Sequence, residues 1–105
     1  MKTDMKIFLG GIMKGSPSSR ARHLMQANSI QTAIEQRWGL NRVEHWQAKY
    51  LRWFLTEQLK NASQETSYRY WLTTRIILQR LDKVDDWLPH LKGPWTRKPS
   101  PLLLL

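Results

Sequence analysis

Between residues 29 and 81 the apolar side chains recur every three or four positions, and no stretch shows sustained alternation. That spacing belongs to helices with one face turned to a core, and it argues against half-buried strands, whose period is two. "IQTAIEQRW" sets Ile30, Ala33, Ile34 and Trp38 on one side of a helix that begins near Ser18 or Ser29 and reaches Trp38, with Gly39 as its C-cap. A second helix is expected from an Asn41 N-cap through "RVEHWQAKYLRWFLTEQLKN". Its apolar side would be Val43, Trp46, Tyr50, Leu51, Phe54, Leu55 and Leu59. Asn61-Ala62 makes the break, and Ser63 caps a third helix with Glu65 in its first turn. Its inner stripe is Tyr70, Trp71, Thr74, Ile77, Leu78 and Leu81. "DKVDDWLPHLKGPW" predicts a short helical turn ended by Pro89, with Trp87 and Trp95 covering the core. The expected fold class is all-α, a compact bundle of three to four helices.

With 105 residues the chain has room for one small domain. The expected organisation is a flexible basic arm over residues 1–19, ending in "GSPSS", a helical domain over 20–95 and a loose tail over 96–105. The net charge is +9 and unevenly spread: residues 1–23 carry five basic groups against Asp4, and residues 92–105 carry three with no acid. The middle has nine basic and seven acidic residues. Cationic ends suit a polyanion, either nucleic acid or an anionic membrane, although they also serve solubility alone. The longest apolar runs, "IFLGGIM" and "LLLL", fall far short of the ~20 residues a helix needs to cross a bilayer. Asp4, the glycines and Lys14 interrupt any signal-like pattern at the start, so the expectation is a cytoplasmic protein with no membrane partner.

Catalytic chemistry finds little support. Without cysteine there is no disulfide, thiolate zinc site or cysteine nucleophile. His23, His45 and His90 are far apart, have no metal-binding spacing and read as surface or boundary residues. Asp85 and Asp86 are adjacent, so they point apart on a helix and suit its first turn. "GGIMKGS" lacks the spacing of a phosphate loop, and no GxSxG occurs. No catalytic residue, metal or cofactor is expected.

Surface recognition remains. His45, Lys49, Arg52, Thr56 and Lys60 recur along one side of the second helix, and Arg69, Thr73, Ile76 and Arg80 along one side of the third, with Arg75 and Gln79 flanking. Such ridges can neutralise phosphates and reach base edges, or can simply be solvated faces.

The block "WQAKYLRWFLTEQLKNASQETSYRYWLTTRIILQRLDK" resembles the second half of the core-binding domain of tyrosine recombinases, the phage-integrase family. The family motif is S-x-x-T-x-x-R-x-x-L-x-x-x-R. Ser63, Thr66, Arg69 and Arg75 are matched to its Ser, Thr and two Arg, with Trp71 at the leucine and Thr74 where an apolar residue is usual. The resemblance spans roughly residues 30–90. It implies a SAM-like helical domain that clamps one face of double-stranded DNA, with Lys49, Arg52, Thr66, Arg69, Thr73, Arg75 and Arg80 as contacts. Arg75 has a competing use in an ion pair with Glu57 or Asp82. The family's catalytic domain, with its arginines, histidines and nucleophilic tyrosine, has no counterpart in these residues. The implied protein is therefore a binding module without its catalytic partner, a truncated integrase, an orphan copy or an accessory protein of a mobile element, whose further partner would be a recombinase or another mobile-element protein. The alternative is a helical protein–protein adaptor with solubilising basic tails. Exposed Trp53 or Trp71 would favour the adaptor, whereas a continuous basic face through His45, Lys49, Arg52, Arg69 and Arg80 would favour DNA.

Overall fold

A computed structural model describes residues 2–98, and these form helices with no strand among them. The order is α1 (Met5–Leu9), α2 (Pro17–Trp38), a 3-10 turn (Val43–His45), α3 (Ala48–Trp53) running into a π-helical turn (Phe54–Gln58), α4 (Gln64–Leu81), α5 (Val84–Leu91) and a last 3-10 turn (Pro94–Thr96). The all-α bundle is as expected, with α1 added to the main elements and α5 standing where a short helical turn was expected.

Local chemistry sets the ends of the long helices. Ser16 accepts the Ser19 amide at 3.2 Å, Pro17 occupies the first turn where no donor is missed, and Gly39 closes α2 in the left-handed region at φ 70°. Ser63 caps α4 by accepting from the Thr66 amide at 3.1 Å, as expected. At the other end of α4, Asp82 takes the left-handed conformation that glycine usually supplies.

The second helix does not form as one piece. Residues 39–47 leave the helix because their polar groups are used elsewhere: the Asn41 carbonyl accepts from both the Thr3 amide and Gln31 Nε2, each at 2.9 Å. The Val43 amide donates to Thr3 Oγ1, also at 2.9 Å, and Trp46 is extended and buried. Helix resumes at Ala48, then widens at residues 54–58, where the Leu59 amide reaches the Phe54 carbonyl five residues back.

The core joins Ala27, Ile30 and Ile34 of α2, Leu51, Phe54 and Leu55 of the α3 segment, and Trp71, Ile77 and Leu78 of α4. Trp38 packs on Tyr50 in a tilted pair with centroids 4.6 Å apart and meets Trp53 edge-on at 5.0 Å. Trp87 and Trp95 are half-buried against the core, as expected. The proline in α5 corrects the expectation that Pro89 ends it: Pro89 lies inside the helix, and Asp85, four residues earlier, is exposed.

The expected loose arm is also corrected. Met5 and Leu9 are completely or almost completely buried against α2 and α4. Burying each contributes about 1.5–3 kcal/mol, comparable with the cost of ordering the few residues of α1 at about 1–2 kcal/mol each. Hydrogen bonds therefore decide the balance. Arg80 Nε donates to the Phe8 carbonyl at 2.9 Å, and Gln31, wholly buried, donates both amide hydrogens to Thr3 and Asn41. At the other terminus Gln64 Nε2 donates to the carbonyls of Pro94 and Arg97, so the chain is fastened to α4 as far as Arg97, inside the tail expected to be loose from residue 96. The expectation for residues 99–105, with their leucines, lies outside the described residues.

Candidate nucleic-acid interface

On α4, Arg69, Thr73, Ile76 and Arg80 share a helical face, but no continuous basic surface results. Thr73 is completely buried, because the first half of α2 crosses the stripe at its middle. Its hydroxyl donates to Gln26 Oε1 at 2.8 Å and lies 2.8 Å from His23 Nδ1. The single hydroxyl proton is thus committed to Gln26, so His23 Nδ1 must be the donor to Thr73 and carries the ring proton. Thr73 is a core residue, and its expected contact with DNA is withdrawn. His23, expected at the surface or boundary, is buried with it.

The remaining expected contacts divide into three kinds. Arg52, though exposed, donates to the His90 carbonyl at 2.7 Å and so ties α3 to α5. Arg80 does the same between α4 and α1, with its guanidinium 5.9 Å from the Phe8 ring centroid. Arg69 pairs with Glu65 at 2.6 Å one turn earlier, and Thr66 Oγ1 accepts from the Ser63 hydroxyl at 3.0 Å. Lys49 is exposed, with its ammonium 5.4 Å from the Tyr50 ring centroid. Arg75 stands apart. It is exposed and makes neither a hydrogen bond nor an ion pair among the described residues, so neither Glu57 nor Asp82 takes it.

Arg75 lines a cleft of about 320 Å³ between α4, α2 and the connection before α2. Lys14, His23 and Gln79 share its wall, Leu72 and Ile76 give it apolar surface, and no carboxylate lines it. Sequence reasoning missed Lys14 and His23 because Lys14 was placed on a detached arm and His23 outside the core. One signal was present: a histidine and a glutamine three residues apart on α2, facing a mid-helix threonine, are the parts of a buried polar relay. Burial first, and the positive charge of Arg22 second, hold the pKa of His23 below the usual histidine value of 6.5.

The two aromatic residues that would have signalled an adaptor are not free. Trp71 is 5% exposed, and Trp53 is half-buried beside Trp38 and under the Arg37 guanidinium, 5.6 Å from its ring centroid.

Comparison with protein-family models, curated proteins and solved structures finds no match to this chain. The recombinase resemblance therefore rests on its motif alone, and that motif is out of register at its end. Counted from Ser63, the family's leucine falls on Leu72 and its second arginine on Ile76, which packs against the core, and not on Arg75.

Proposed function

We propose that the protein is a non-catalytic module that binds duplex DNA, with Arg75 and Lys14 as central phosphate contacts and Arg69 and Lys49 as peripheral ones. The observation that carries this reading is the free guanidinium of Arg75 above a cleft without acids. The wider charge pattern agrees with it: of seventeen lysines and arginines, only Arg42 and Arg69 form ion pairs among the described residues. Uncompensated cations of this number attract a polyanion and are costly to bring near one another without one. Core-binding activity of recombinase type is the specific form proposed, and a partner carrying a catalytic domain would strengthen binding through linkage.

Duplex binding measured across a salt series tests the proposal. The logarithm of the binding constant should fall linearly with the logarithm of salt concentration, by about 0.9 per phosphate neutralised, and Arg75→Gln should lower that slope by about one. Absence of binding at low salt defeats the reading.

The adaptor reading draws on one feature, an uncharged groove of about 680 Å³ along α2, lined by Leu24, Asn28 and Thr32 and by Met25, which is 62% exposed. Met25→Glu should leave DNA affinity unchanged within about twofold under the DNA reading, since it adds one exposed charge away from Arg75.

A further inference from the structure

We propose that the cleft between α4, α2 and the residue 12–14 connection is a binding site for a single phosphate group, held by Lys14 and Arg75 with His23 Nε2 as the third partner. It rests on the reading of Arg75 as an anion contact but not on the polyanion being DNA. Three observations assemble the site. Lys14 and Arg75 come from elements far apart in sequence and line one wall system of about 320 Å³, large enough for a phosphate, with no acid to neutralise them. Leu72 and Ile76 line the same cleft with apolar surface, which weakens screening and strengthens each charged hydrogen bond. The His23 ring is oriented by its buried bond to Thr73, which fixes the proton on Nδ1 and leaves Nε2 as the ring nitrogen free to act. Nε2 makes no hydrogen bond among the described residues, yet it is not among their sealed polar atoms.

The chemistry of the third partner is a proton balance. Every charged group facing His23 is positive: Arg22 on its own helix, Lys14 on the connection and Arg75 on α4. Without an anion, burial first and Arg22 second hold the ring's pKa below its usual value and favour the neutral form. A monoester dianion or a diester places negative charge beside the ring and so favours its charged form, and the ring takes up a proton from solvent at Nε2, whose N–H donates a hydrogen bond to a phosphate oxygen. A phosphate that carries its own hydroxyl, the inorganic dianion included, reaches the same complex without solvent, because that hydroxyl donates to the neutral Nε2 lone pair. One proton then lies between Nε2 and the phosphate in either case, and diester binding must consume a proton while binding of the hydroxyl-bearing ion need not.

The ring resonances of His23 in the full chain report both binding and protonation. Titration of inorganic phosphate into the protein at constant ionic strength in chloride should move these resonances and raise the pH midpoint of His23. A short DNA duplex supplies the diester arm. The variant Lys14→Gln/Arg75→Gln changes two exposed side chains, so it should fold, which unchanged helical circular dichroism verifies. Its phosphate affinity should fall at least about tenfold, the loss expected for one or two charged hydrogen bonds. Displacement of inorganic phosphate by the duplex identifies the site as a contact for the nucleic-acid backbone, whereas phosphate binding that the duplex does not displace identifies a free phosphate or phosphate monoester as its ligand. Phosphate binding without any duplex binding keeps the cleft and removes DNA as the polyanion. Duplex binding while the His23 midpoint is identical in phosphate and chloride overturns the cleft and leaves the DNA reading standing. A midpoint shift that persists in the double variant also overturns it.

Discussion

Replacing Thr73 by valine should be among the most damaging single-atom-scale changes in the protein, while the same replacement at Thr74 should be nearly silent. Both threonines are completely buried on α4, and valine has nearly the same shape, so neither change opens a cavity. They differ in where the hydroxyl goes. Thr74 Oγ1 donates to the Tyr70 carbonyl at 2.9 Å, four residues back in its own helix, an oxygen that the helix itself can serve. Removing that hydroxyl leaves no donor or acceptor stranded. Thr73 Oγ1 serves two partners on another helix, at 2.8 Å each, and valine strands His23 Nδ1–H and Gln26 Oε1 together. Gln26 is 5% exposed and His23 9%, so water replaces little of what is lost. At about 1–3 kcal/mol per stranded group, and allowing some side-chain rotation, Thr73→Val costs about 2–4 kcal/mol and Thr74→Val less than about 0.5. Urea denaturation followed by tryptophan fluorescence gives both numbers, with an unchanged dependence on urea confirming that the same transition is observed. Equal stability of the two variants, within about 0.5 kcal/mol, would refute the relay and with it the fixed tautomer of His23.

The pH dependence follows from the same histidine. Its pKa is lowered in the folded state, so on acidification the unfolded chain takes up the proton first; this part of the stability is present above pH 6.5 and is lost as pH falls below it toward the folded value. Comparing denaturation midpoints of the parent and His23→Gln at pH 7.5 and 5.5 should show the smaller acid loss in the variant. Gln31→Leu should cost about 1–2 kcal/mol, since the Thr3 carbonyl loses its donor while the Asn41 carbonyl keeps the Thr3 amide, and it should loosen residues 2–14 before the rest, visible in amide exchange. Asp82→Gly should stabilise by about 1 kcal/mol, because it relieves a left-handed aspartate at φ 58° and removes an anion from the C-terminal end of α4; thermal unfolding checks the sign.

How much of this was legible depended on whether a signal was local. Ser63 and Gly39 mark the ends they were expected to mark, because a cap acts on its own helix. The apolar stripe of α4 was legible for the same reason. Failures came where another part of the chain intervenes. Asn41 has the chemistry of an N-cap, but its carbonyl is taken by Thr3 and Gln31, ten and more residues away. Thr73 lies on the same face as Arg69 and Arg80, and helical spacing reports that shared face faithfully. Spacing contains nothing about α2 crossing that face at one point, which is what separates the arginines and buries the threonine. Arg75 was undecided from sequence because one helix offers it both an acid neighbour and open solvent, and only the packing of α2 and its preceding connection made the cleft.

The docked N-terminal segment has a kinetic meaning. Its bonds join residues distant in sequence, from Thr3 to Asn41 and from Phe8 to Arg80, so closing them costs loop entropy and little of its structure can form early. It should be the last piece to arrive and the first to leave, a lid on an already folded bundle of α2, α3 and α4. Lys14 travels with it. Undocking of this segment would dismantle the cleft around Arg75, so an anion held at the proposed site would hold the lid down.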